Sequence, residues 1–116
     1  MNLQQIRDRK DRRKKLIQQE LEKIKLCLIN MGAIRIIVFG SYANGNVTSY
    51  SDLDLIAVMP PIKSGREWMR EIYDKIDREV DCDIIAYTEE ELENTKQISR
   101  FLRHALETGK VVYERL

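Results

Sequence analysis

Three short runs of apolar and β-branched residues set the limits on what this chain can fold into. They cover residues 34–39 (IRIIVF), 53–59 (LDLIAVM) and 81–87 (DCDIIAY). Runs of this length, rich in Ile and Val and closed by Gly40, Pro60-Pro61 and Thr88, read as largely buried strands. The segments between them carry a helical period instead. Ile17, Leu21, Ile24, Leu28 and Met31 recur at spacings of four and three, which predicts one long helix over residues 1–31, stopped by Gly32. Ser64 with Glu67 forms a capping box opening a helix that turns Trp68, Ile72, Tyr73, Ile76 and Val80 inward. Thr88 with Glu91 forms a second, starting one helix through Leu92, Ile98, Leu102, Ala105 and Leu106 that ends at Gly109. Val111-Val112-Tyr113 suits a short last strand. The predicted class is α/β (α+β): a small mixed sheet flanked by helices, in a single domain.

A chain of 116 residues with 43% hydrophobic residues supports one core, so residues 1–116 are read as one unit. Residues 1–31 are read as its N-terminal helix with a basic arm and 34–116 as its core. Net charge is only +1, which gives no whole-molecule pull towards nucleic acid or a membrane. No apolar run approaches the ~20 residues that span a bilayer. The N-terminus leads into charge rather than an apolar signal core, so a cytoplasmic protein with reduced thiols is expected. Cys27 and Cys82 lie far apart and His104 is the only histidine, which argues against a zinc site. His104 and Trp68 read as structural residues, and Tyr42 and Tyr50 flank the turn after the first strand. Arg7, Arg9, Lys10, Arg12, Arg13, Lys14 and Lys15 make a basic arm without interleaved aromatics. It reads first as a solvated helix end, second as a partner-binding face, and nucleic acid is not expected.

Three acids interrupt strands where burial favours apolar residues. Asp52 and Asp54 are two apart, so on an extended strand both face one way, with Cα atoms about 6.5 Å apart. Asp83 lies near the start of the next strand, and Asp81 points the same way as Asp83. Like charges at such range oppose joint ionisation, and a divalent cation reverses that penalty. Oxygen ligands without histidine or thiolate favour magnesium or manganese. Taken alone, the pair also fits exposed strand-end acids. Gly40-Ser41 follows a buried strand, where glycine permits close approach to a ligand and free N–H groups at a helix start bind phosphate. No Gly-Lys-Ser/Thr run makes this a Walker A loop.

Gly40-Ser41-Tyr42-Ala43-Asn44-Gly45 followed by Ser51-Asp52-Leu53-Asp54-Leu55 resembles the signature of the DNA polymerase β-like nucleotidyltransferase superfamily. Compactness and the tail from Phe101 to Glu114 are most similar to its minimal nucleotidyltransferases, and the match runs from Ile34 to the C-terminus. The resemblance implies that Gly40 and Ser41 hold the triphosphate of a nucleotide such as ATP. It implies Asp52 and Asp54 as metal ligands and catalytic acids, with Asp83 as third acid and Asp81 as its stand-in. Asn44 stands where many members carry arginine.

The implied reaction transfers a nucleoside monophosphate, AMP from ATP, to a hydroxyl with the help of Mg2+ or Mn2+. Members of this kind are often paired with a HEPN-domain protein, acting as antitoxins that adenylylate the toxin. A second reading is a module of the same fold that neutralises its partner by contact, with little turnover. A dimer or a partner chain would complete so small a site.

Overall fold

The computed structural model describes residues 2–48, 50–77 and 81–116. Helix α1 (Leu3–Asn30) precedes strands β1 (Arg35–Phe39) and β2 (Leu53–Val58). Helix α2 (Gly65–Lys75) leads to β3 (Cys82–Tyr87), followed by α3 (Glu89–Ile98), α4 (Arg100–Thr108) and β4 (Lys110–Glu114). Among the described residues the strands make one sheet in the order β3-β2-β1-β4. β1 pairs antiparallel with both β2 and β4, whereas β2 and β3 are parallel, joined by the α2 crossover. The sheet is therefore mixed, as expected.

Strand alternation divides the core between two faces. Ile36, Val38, Leu53, Leu55, Ala57 and Ile84 pack with Ile17, Leu21, Ile24 and Leu28 of α1 and with Trp68 and Ile72 of α2. Ile37, Phe39, Ile56 and Val58 point the other way, onto Leu92, Leu102 and Ala105 of α3 and α4. Helices on both faces explain why β2 reads as an almost continuous apolar run: Ile56, Ala57 and Val58 are all fully buried.

Local signals account for most element ends. Gly32, at φ +104°, closes α1 through two bonds, from its own N–H to Ile29 O and from Ala33 N–H to Leu28 O. That is a Schellman cap, which needs the left-handed conformation that glycine adopts freely. Both predicted capping boxes form, at Ser64/Glu67 and Thr88/Glu91. Glu91 Oε1 also accepts from Gly65 N–H at 2.9 Å, so one carboxylate serves the N-termini of α2 and α3. Tyr73 is half-buried rather than core. Its hydroxyl accepts from Ile84 N–H at 3.0 Å, occupying backbone groups on the outer edge of β3.

Two expectations need correction. The helix from Thr88 does not run through to Leu106: Ser99, at φ −108° and ψ 110°, breaks it into α3 and α4. The Ser99 side chain accepts from Leu102 N–H, starting α4 on a new axis and leaving Ile98 86% exposed instead of inward. α2 stops at Lys75, capped by Ile76 in an extended conformation, and Val80 lies outside the described residues. The turn expected after Gly40 is present. Residues 41–45 make a turn, held by Asn44 N–H to Gly40 O and Asn46 N–H to Ser41 O.

Candidate active site

The three strands that matter bring their ends together at one edge of the sheet. β1 finishes at Phe39, which lies opposite Asp54 near the start of β2, and Asp54 lies opposite Asp83 near the start of β3. Residues in register share a face, and neighbouring strands are about 4.8 Å apart. Asp54 and Asp83 therefore stand side by side on the α3/α4 face, at the end of the apolar rows that continue through Ile56 and Ile85. Asp81 lies ahead of β3, where its carbonyl accepts from Leu53 N–H. Of the two candidate third acids, Asp83 is the one in register with Asp54.

Gly40 closes the third side. It leaves β1 at φ +80°, and a Cβ there would lie 2.4 Å from Oδ2 of Asp54. The missing side chain is thus the space that the Asp54 carboxylate occupies. Gly40, Asp54 and Asp83 line a cavity of about 580 Å³. Its remaining wall includes Asn44, Tyr73, Phe101, His104 and Thr108. Phe101 stacks edge-on against Phe39, with ring centroids 5.7 Å apart, fixing the α4 side of the opening.

Electrostatics at this point are unbalanced. Burial pushes the Asp54 carboxyl above the ordinary carboxylate range, and the charges of Asp83 and then Asp52 push it further. An acid disfavoured in this way fits a site awaiting positive charge. Among the described residues, no three Asp, Glu, His or Cys groups converge into a ready-made metal cage. What the sheet offers is a pair of hard carboxylates beside an open cavity. That donor set fits magnesium, which commonly takes one or two carboxylates and completes its shell with water and substrate phosphates.

Two predicted site residues lie outside the cavity wall. Asp52 precedes β2 and is exposed; its Oδ1 is 3.8 Å from a guanidinium nitrogen of Arg13. Ser41 donates its hydroxyl to Ser51 Oγ at 3.1 Å, and Ser51 Oγ also accepts from Thr48 N–H at 2.8 Å. These bonds tie the turn after β1 to the approach to β2.

Sequence reasoning missed Arg13, whose Nε donates to Ser51 O at 2.8 Å across 38 residues. No local pattern announces such a contact. The α4 wall was more legible, because Phe101, His104, Ala105 and Thr108 recur at helical spacings of three, one and three. His104, read as structural, is exposed on the cavity wall. Tyr42 packs against the α1 side of the core, whereas Tyr50 is 84% exposed and lies with the arginines of α1.

Comparison with known proteins adds an independent line. The family model of the nucleotidyltransferase domain matches residues 19–108, well over half of the chain. No curated protein matches the chain in sequence. Among solved structures, the fold is similar to the crystal structure of a "putative nucleotidyltransferase" from Sulfolobus solfataricus. The TM-score is 0.56 at 20% identity, covering 93% of this chain and 86% of that one. The matched segment contains the Gly40 turn, Asp52, Asp54, Asp83 and the α4 wall, so the chain belongs to the nucleotidyltransferase domain family.

Proposed function

We propose that this protein transfers a nucleoside monophosphate, AMP from ATP, to a hydroxyl of a partner protein, using magnesium or manganese. The observation that carries the reading is the abutment of Gly40 on Asp54, with Asp83 in register beside it and an open cavity in front. Asp54 and Asp83 would hold the metal, with Asp52 as a further ligand once it leaves Arg13. Bound there, the cation would offset the acids' mutual repulsion and the charge of the triphosphate. Gly40 keeps the backbone low enough for phosphate oxygens to approach, and Ser41 with Ser51 keeps the turn in shape. Asp83, the more exposed acid, would accept the proton of the acceptor hydroxyl. The oxygen then forms a bond to the α-phosphorus as the α–β phosphoanhydride bond breaks, and pyrophosphate leaves.

The biological setting we propose is that of a cytoplasmic antitoxin paired with a HEPN-domain toxin. Its support is the chain's resemblance to minimal nucleotidyltransferases. Among the described residues, no helix is long and apolar enough to cross a membrane, which is compatible with that setting. The experiment is incubation with α-labelled ATP and magnesium, with and without the protein encoded beside it, and with Asp54→Asn/Asp83→Asn as control. Label on the partner that depends on both acids supports the reading. Tight binding of the partner without label under any nucleotide or with manganese would overturn it in favour of a contact inhibitor.

A further inference from the structure

The first ten residues of α1, 3–12, are all exposed, and the helix meets the rest of the fold from Arg13 and Leu16 onward. Residues 2–16 contribute no buried side chain, and Leu3 is 72% exposed. Yet the segment is helical from its start, where Asn2 and Gln5 form a complete capping box. The helix is about 42 Å long at 1.5 Å per residue. Its free half carries seven cationic side chains against two acids, a net +5 in a chain whose total is +1. The rest of the chain is therefore net negative, and the arm is a separate pole.

Three of the four arginines on this arm share one face. At 100° per residue, Arg9, Arg12, Arg13 and Leu16 fall on one stripe, while Lys10 and Lys14 lie on another. The arginine stripe lines a cleft of about 330 Å³ together with Tyr50. Arg12 donates Nε to Asp8 O at 3.3 Å, and Arg13 bonds Ser51 O and faces Asp52. The cleft thus reaches the approach to β2 at Asp52, one of the candidate catalytic acids. An aromatic ring missing from the arm's own sequence is supplied by the loop before β2.

We propose that this cleft docks an acidic segment of the polypeptide that receives the nucleotide, an inference that rests on the protein-acceptor reading above. Arginine forks pair with carboxylates in two-bond geometry, and Tyr50 offers a flat apolar surface at the mouth. The charge distribution favours a protein over a nucleic acid. A long polyanion running on from the cleft along the approach to β2 would meet the carboxylate of Asp52, beside Arg13. A protein can confine its acids to the stretch that meets the arm.

The test measures binding, so it does not depend on turnover. Fluorescein-labelled peptide of alternating Asp and Glu with one central Tyr is titrated at low and physiological salt, beside labelled oligoadenylate of equal charge. Arg9→Ala/Arg12→Ala is compared with Lys10→Ala/Lys14→Ala, which removes the same charge from another face. Alanine is the best helix former, so all variants keep the arm. The expected result is salt-sensitive peptide binding weakened about tenfold by the arginine pair, at about threefold per exposed charge, and much less by the lysine pair. Equal losses in the two variants, no peptide binding at low salt, or tighter binding of oligoadenylate would overturn the proposal. A positive binding result with no label transfer would instead count against the catalytic reading alone.

Discussion

Replacing Gly40 by alanine would put a methyl carbon 2.4 Å from Oδ2 of Asp54 and 3.3 Å from its Cγ. Ordinary carbon–oxygen contact needs about 1 Å more than the shorter figure, and Asp54 is too short to yield without turning its carboxylate. A second cost is the backbone, since φ is +80° and an L-residue there loses about 1–2 kcal/mol. Gly45 separates the two effects. It has φ +74°, and a Cβ added there would meet nothing within 4 Å, so Gly45→Ala carries only the backbone cost. Both variants should lose about 1–2 kcal/mol in urea unfolding, with Gly40→Ala losing up to about 1 kcal/mol more. Activity should part them sharply. Displacing a reacting group by about 1 Å costs on the order of 100-fold, so Gly40→Ala should lose about that in label transfer while Gly45→Ala stays near wild type. Full transfer by Gly40→Ala, or an equal loss in Gly45→Ala, would refute the assignment of Gly40 as the space reserved for Asp54.

Asp54→Asn should stabilise the metal-free protein near neutral pH while abolishing transfer. The folded protein holds Asp54 above its ordinary pKa, so the penalty for ionising it appears as pH rises from the unfolded value through the folded one, and is complete above it. Urea unfolding in chelator should therefore show the variant's advantage growing with pH across that window and vanishing in acid; a pH-independent difference would contradict the burial-and-repulsion account. Tyr73→Phe removes the hydroxyl that serves Ile84 N–H and C=O on the outer edge of β3. Leaving those groups unpaired costs about 1–3 kcal/mol and opens a strand edge to other chains. Thermal unfolding with light scattering should show a lower midpoint and earlier aggregation, and unchanged curves would mean that water or a neighbour replaces the hydroxyl at no cost.

Much of this protein was legible from short stretches of sequence, because the physics there is short-ranged. The period of α1, the Gly32 stop, the two Ser/Thr–Glu boxes and the three apolar strands each depend on residues within a few positions of one another. Strand alternation likewise sets Cys82 in the core, on the face opposite Asp83. The Gly40 turn and the Asp-x-Asp spacing marked the end of the sheet where the candidate site lies.

Only tertiary structure decided which acids meet. Parallel pairing of β2 with β3 sets Asp54 against Asp83, while Asp52, outside the strand, turns to Arg13. The break at Ser99 escaped the helical pattern, which a single serine interrupts without disturbing its apolar spacing. Tyr50 joined the arginines of α1, and Phe101 and His104 met the strand ends, through contacts spanning tens of residues. Such contacts leave no local trace, because register and helix docking are chosen by the packing of the whole core, not by any segment's own preference.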